Sequence, residues 1–155
     1  MAQFFLSTGR FLAIAVAVLA LALLIGCGSS GSDELTRQEF IQQADAICVK
    51  TTQEISKTGE RYAATFKGTP TSADLAKYVS IAIVPNFEGE IAKLRKLGVP
   101  TEDEKLVNRV LSTLEAGLKE VKKDPDSFVS GVNDNLAEAA KLGQAYGFAH
   151  CGSLT

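Results

Sequence analysis

Between residues 36 and 146, four successive stretches repeat apolar positions at three- and four-residue steps. That is the period of helices with one buried face. The first opens on Thr36-Arg37-Gln38-Glu39, the pattern of a capping box. Ile41, Ala44, Cys48, Thr51, Ile55, Thr58 and Tyr62 then form a seam, which Phe66 extends before Gly68 and Pro70 end it. Gly59 weakens the interior and permits a break there. The second stretch is capped by Thr71-Ser72-Ala73-Asp74 and runs to Leu97, with Gly98 and Pro100 closing it. Leu75, Val79, Ala82 and Asn86 give one face, and Phe87, Ile91 and Leu94 another. Pro85 between them removes a backbone donor and predicts a kink. The third opens on Thr101-Glu102-Asp103-Glu104, again read as a capping box, and carries Val107, Val110, Leu111, Leu114, Leu118 and Val121. The fourth starts at Asp124-Pro125, a cap followed by a first-turn proline. Phe128, Val132, Leu136, Ala139, Gly143 and Tyr146 follow, Gly147 stops the helix, and Phe148-Ala149-His150-Cys151 trails off.

No stretch alternates with period two over any length. The expected fold is all-α, an antiparallel up-down four-helix bundle over residues 36–152 with a kinked second helix. In that order of helices, the end of the fourth returns beside the start of the first.

Ahead of the bundle lies a different pattern. Residues 11–25 are apolar without a charge, Arg10 precedes them, and Leu24-Ile25-Gly26-Cys27 follows at their end. A basic start, an apolar middle and small residues at a cut site describe a secretory signal. With cysteine directly after the cut, residues 1–26 resemble a bacterial lipoprotein signal. The resemblance implies that Cys27 receives a diacylglycerol and anchors the chain on the extracytoplasmic face of the cell membrane. An uncleaved membrane anchor is the alternative, but the run is short of the roughly 20 residues that a spanning helix needs. Ordinary secretion is a third. Residues 28–32, Gly-Ser-Ser-Gly-Ser, read as a flexible tether, so residues 27–35 join the lipid to the domain.

Composition narrows the partners. All 18 acidic residues and all but one of the 16 basic ones lie after residue 26, with the two signs mixed throughout. Without a basic block, nucleic acid is not an expected partner. Three cysteines occur. With Cys27 assigned to the lipid, Cys48 and Cys151 remain, and in an exported chain an even remainder reads as a disulfide. Such a bridge closes a loop of roughly 100 residues, worth ~4–5 kcal/mol through the unfolded state. Two separate buried thiols are the alternative.

Three motifs carry a further resemblance: Gln43-Ala44-Asp45-Ala46-Ile47-Cys48, Leu94-Arg95-Lys96-Leu97-Gly98-Val99-Pro100 and Tyr146-Gly147-Phe148-Ala149-His150-Cys151. With them the chain resembles small uncharacterised exported helical proteins of actinobacteria, many of them lipoproteins. The resemblance implies a fold and a bridge, and no catalytic residue is carried over.

Candidate chemistry is sparse. His150 is the one histidine and adjoins Cys151, but a nucleophile needs a base in reach and a group to orient it. A solvated or packed side chain is the better reading. Asn133-Asp134-Asn135 lacks the glycine and glutamate of a calcium loop. Glu88 and Glu90, two apart on a helix, do not share a face. Lys93, Arg95 and Lys96 suit a helix C-terminus. No catalytic residue, metal site or cofactor is expected. The aromatics Tyr62, Phe66, Tyr78, Phe87 and Tyr146 are the one ambiguous set. They fill a core, or they line a cavity for a small apolar ligand. The expected function is a non-enzymatic interaction module that contacts an envelope protein. A carrier of an apolar ligand in the bundle interior is the alternative.

Overall fold

The computed structural model describes residues 34–131 and 136–151. The signal segment, Cys27, most of the tether, Val132 and Asn133-Asp134-Asn135 lie outside these residues. Among the described residues the regular elements are helices, without strands. Six α-helices follow in order: α1 Arg37–Ala63, α2 Ser72–Tyr78, α3 Val84–Leu94, α4 Glu104–Lys123, α5 Pro125–Val129 and α6 Ala137–Tyr146. A π-helical turn, Val79–Ile83, joins α2 to α3, and a 3-10 turn, Thr101–Asp103, leads into α4. None of the described helices is long and apolar enough to cross a membrane.

Local signals account for most of the boundaries. Thr36 and Glu39 form the capping box at α1, and Thr71 with Asp74 forms one at α2. Accepting those cap hydrogen bonds lowers the pKa of both Glu39 and Asp74. Asp124 accepts from the Ser127 amide at 3.0 Å, directly before Pro125. Gly147 ends α6 with a left-handed φ of 117°, which suits glycine.

Four boundaries differ from the sequence expectation. α1 stops at Ala63, ahead of the expected stop at Gly68 and Pro70. It passes through Gly59 without a break. The expected second helix is three elements, with a π turn where a simple kink was expected. Pro85 has no N–H for the carbonyl of the preceding turn, and the wider turn sits immediately before it. The capping box read at Thr101 does not form: neither the 3-10 turn nor α4 has a side-chain cap. Asp103 turns inward instead. The expected fourth helix is divided, with α5 ending at Val129 and Gly131 at a φ of 69°.

α1 packs on α3, α3 on α4, and α4 on α6, while α2 lies against α5. The core has two parts. One gathers Phe40, Ala44, Cys48, Leu94, Val107, Leu111, Tyr146, Phe148 and Cys151. The other gathers Ile55, Val79, Ile83, Phe87, Ile91, Leu114, Leu118 and Leu136. The α4 stripe is buried as read. Leu75 is not, because Ala76 takes the inward position of α2 and leaves Leu75 facing solvent. Phe40, outside the expected seam, is fully buried. Leu35, counted with the tether on sequence grounds, packs half-buried against the Phe40 cluster.

Candidate functional site

The polar groups inside this fold fall into three places. The first joins the start of α1 to the start of α4. Asp103 is fully buried, and Arg37 donates to both of its carboxylate oxygens, Nε at 2.8 Å to Oδ2 and Nη2 to Oδ1. Tyr146 of α6 donates its hydroxyl to Oδ2 at 2.8 Å. The Arg37 guanidinium lies 5.3 Å from the centre of the Tyr146 ring. The hydrogen bonds from Arg37 hold Asp103 below its ordinary value, with Tyr146 adding to them against burial. Burial, then the Asp103 carboxylate, pushes the Tyr146 hydroxyl up. The groups satisfy one another, and the arrangement locks three helices together. Glu34 completes this end by accepting from the Thr101 amide.

The second place is the C-terminal tail. Cys48 and Cys151 are disulfide-bonded, with their Cα atoms 5.1 Å apart. Asp45, one turn before Cys48, accepts from the amides of Ala149 at 3.0 Å, His150 at 2.9 Å and Cys151 at 3.3 Å. Phe148 and Cys151 are buried. The tail is therefore packed and tied down, where the sequence reading had it trail off. Asp45 and Cys48 stand three apart on α1 so that one receives the tail's backbone and the other its thiol. His150 is exposed beside a groove of about 230 Å³ lined by Val49, Thr52 and Gln53.

The third place is Glu90, second only to Phe40 in volume among the fully buried side chains. Its Oε1 has no hydrogen-bond partner. Burial pushes its carboxyl up to about 7, against smaller pulls from Thr51 and Lys93. Sequence reasoning set Glu90 aside with Glu88. A signal was present: position 90 falls between Phe87 and Leu94 on the buried stripe of α3. Glu88 faces outward and pairs with Lys122 at 2.8 Å.

The five candidate aromatics do not gather in one place. Tyr62 stacks on Tyr78 at 5.9 Å between ring centres and meets Phe66 edge-on at 5.0 Å. Phe87 belongs to the same half of the core as Tyr78, while Tyr146 sits in the other half against Phe40 and Phe148. A surface groove of about 280 Å³ runs between α3 and α4, floored by Ile91 and Leu118 and rimmed by Glu88, Glu115, Lys119 and Lys122. Among the described residues, no group of three His, Cys, Asp or Glu side chains is placed to hold a metal ion.

No family model matches the chain, and neither the curated proteins nor the solved structures give a match.

Proposed function

We propose that this chain is a lipid-anchored cell-envelope protein whose helical domain works by contact with another envelope protein and not by catalysis. Residues 1–26 are removed, a diacylglycerol on Cys27 holds the chain at the extracytoplasmic face of the membrane, and the domain is an antiparallel up-down four-helix bundle. In that bundle α2, the π turn and α3 count as one helix, and α5 with α6 as another.

The observation that carries this reading is the Cys48–Cys151 bridge. Disulfides persist in exported proteins and are rare in reducing compartments. The bridge therefore agrees with an export signal. Contact is supported by where large apolar side chains meet solvent. Leu75 and Ile81 are 43% and 49% exposed, on the stretch formed by α2 and the π turn, and Leu106 is 50% exposed by itself at the start of α4. Tyr78 between them packs over Gly59, ~30 Å along α1 from Arg37 at 1.5 Å per residue. This face thus lies far from Glu34, where the chain enters the domain, and suits a partner with an apolar patch of its own.

Two experiments test the reading. Metabolic labelling with a fatty acid should mark the wild type and not Cys27→Ser; equal label on both refutes the anchor. A photo-crosslinker at residue 81 should capture one envelope protein in native membranes, while a crosslinker at the exposed Gln144 should not. Ile81→Lys should abolish a pull-down of that protein. The second reading, an apolar-ligand carrier, draws on the groove over Ile91 and Leu118, which is near the lower limit of ligand-pocket size. A lipid or other apolar molecule co-purifying in equal amount with the domain, and no crosslink at residue 81, would favour it.

A further inference from the structure

One polar layer separates the two halves of the core. On α1 the inward positions are Cys48, Thr51 and Ile55. On α3 they are Phe87, then Glu90 with Ile91, then Leu94. Cys48 and Leu94 belong to one half, and Ile55, Phe87 and Ile91 to the other. Thr51 and Glu90 occupy the level between. α4 passes the same level with Leu111 in one half and Leu114 in the other.

The chemistry of this layer distinguishes two states of one carboxyl. Thr51 Oγ1 donates to the Ile47 carbonyl at 3.2 Å, and its pull on the Glu90 carboxyl is smaller than the push from burial. A protonated carboxyl carries no charge to desolvate and can itself donate. An ionised carboxylate only accepts. It would be fully buried with one oxygen already lacking a partner.

No outside charge compensates it. On α1, Lys50 is exposed and Glu54 pairs with Lys57. On α3, Glu88 pairs with Lys122 and Lys93 is exposed, pulling only weakly on Glu90. On α4, Glu115 pairs with Arg95, and Lys119 is exposed. None of these is a hydrogen-bond or ion-pair partner of Glu90 among the described residues. Just before α3, the π turn and Pro85 leave the backbone ladder less regular than elsewhere.

We propose that Glu90 is a proton-operated latch between α1 and α3, closed when the carboxyl is protonated and loosened when it ionises. The loosening is local: α1 separates from α3 at the level of Thr51, and the irregular backbone before Pro85 takes up the displacement. On the envelope location proposed above, such a latch would report the pH outside the cell.

The sign follows from linkage. The carboxyl is raised in the fold from 4.5 to about 7. The contribution of Glu90 to stability is full below pH 4.5 and is lost as pH rises through about 7. Each pH unit in that window multiplies the unfolding constant by ten, about 300-fold in all. Denaturant unfolding of the full-length chain in detergent between pH 4 and 8 should show this fall, in a His150→Gln background that removes the one histidine. Glu90→Gln should flatten it. Normalised amide exchange above pH 7 should quicken in residues 47–55 and 84–94 and not in residues 107–121. A wild-type slope retained in Glu90→Gln, or exchange that quickens evenly in all helices, overturns the latch. Should Glu90→Gln fail to fold, carbon-13 titration of Glu90 in the wild type decides, since a midpoint near 4.5 also overturns it.

Discussion

Gly59 of α1 lies directly under the hydroxyl of Tyr78: a β-carbon at residue 59 would sit 2.9 Å from the tyrosine oxygen. That hydroxyl donates to the Ile55 carbonyl at 2.8 Å, one turn earlier on α1. A glycine that weakens a helix on propensity grounds is here the gap through which a second element reaches the backbone. In an open helix, Gly→Ala gains about 1 kcal/mol. Gly59→Ala should instead lose about 1 kcal/mol, because Tyr78 must give up its hydrogen bond and its stack on Tyr62. In a Tyr78→Ala background the sign should reverse. Denaturant unfolding of the four proteins in the cycle measures both.

The Cys48–Cys151 bridge should dominate stability. Cys48→Ser and Cys151→Ser should each lower the melting temperature by a similar amount, for a loss approaching ~4 kcal/mol, and the double substitution should be no worse. Non-reducing peptide mapping should recover the linked pair. Asp45→Ala should loosen the tail with the bridge intact, read as faster amide exchange at residues 149–151 and a loss of about 1–2 kcal/mol.

The node at Asp103 sets the response to acid. Its carboxyl is held below its ordinary value by Arg37 and Tyr146. A depressed group contributes stability above its unfolded pKa, ordinarily 3.8, and loses it as pH falls through the folded value. Acid unfolding should therefore steepen below pH 4, and Asp103→Asn should remove that component. Tyr146→Phe should cost about 1 kcal/mol, and Asp103→Ala several times as much, because it leaves Arg37 and Tyr146 without their shared acceptor. Equilibrium melts across pH 2–6 give each value.

Pro85 should be nearly neutral. It occupies the first turn of α3, where its missing N–H is least costly, and the π turn already accommodates it. Pro85→Ala should change stability by less than about 1 kcal/mol, well below the ~3 kcal/mol of a proline in a regular helix interior. A thermal melt distinguishes the two.

The helices were legible where local rules acted alone. The stripe of α4 has an unbroken period, and the caps at Thr36, Thr71 and Asp124 depend on neighbours three residues away. The bridge was legible from the cysteine number together with the expectation of export. What escaped depends on distant residues. Asp103 carries the letters of a cap, but Arg37, 66 positions earlier in the chain, and Tyr146, 43 later, draw it inward. Leu75 follows the expected spacing, yet the adjoining π turn shifts the register and Ala76 faces the core. Glu90 sits on the buried stripe of α3, and only the packing of α1 and α4 over it shows that a carboxyl is enclosed there.

The bridge and the Asp45 clamp also govern how the domain bears a load. A pull applied between the entry at Glu34 and the exit at Cys151 passes along the first half of α1 and across the sulfur–sulfur bond. The cysteines are 103 positions apart in sequence, and the chain between them stays out of the line of force. α2, the π turn and the Glu90 layer are therefore mechanically shielded, because tension between those two points passes around them.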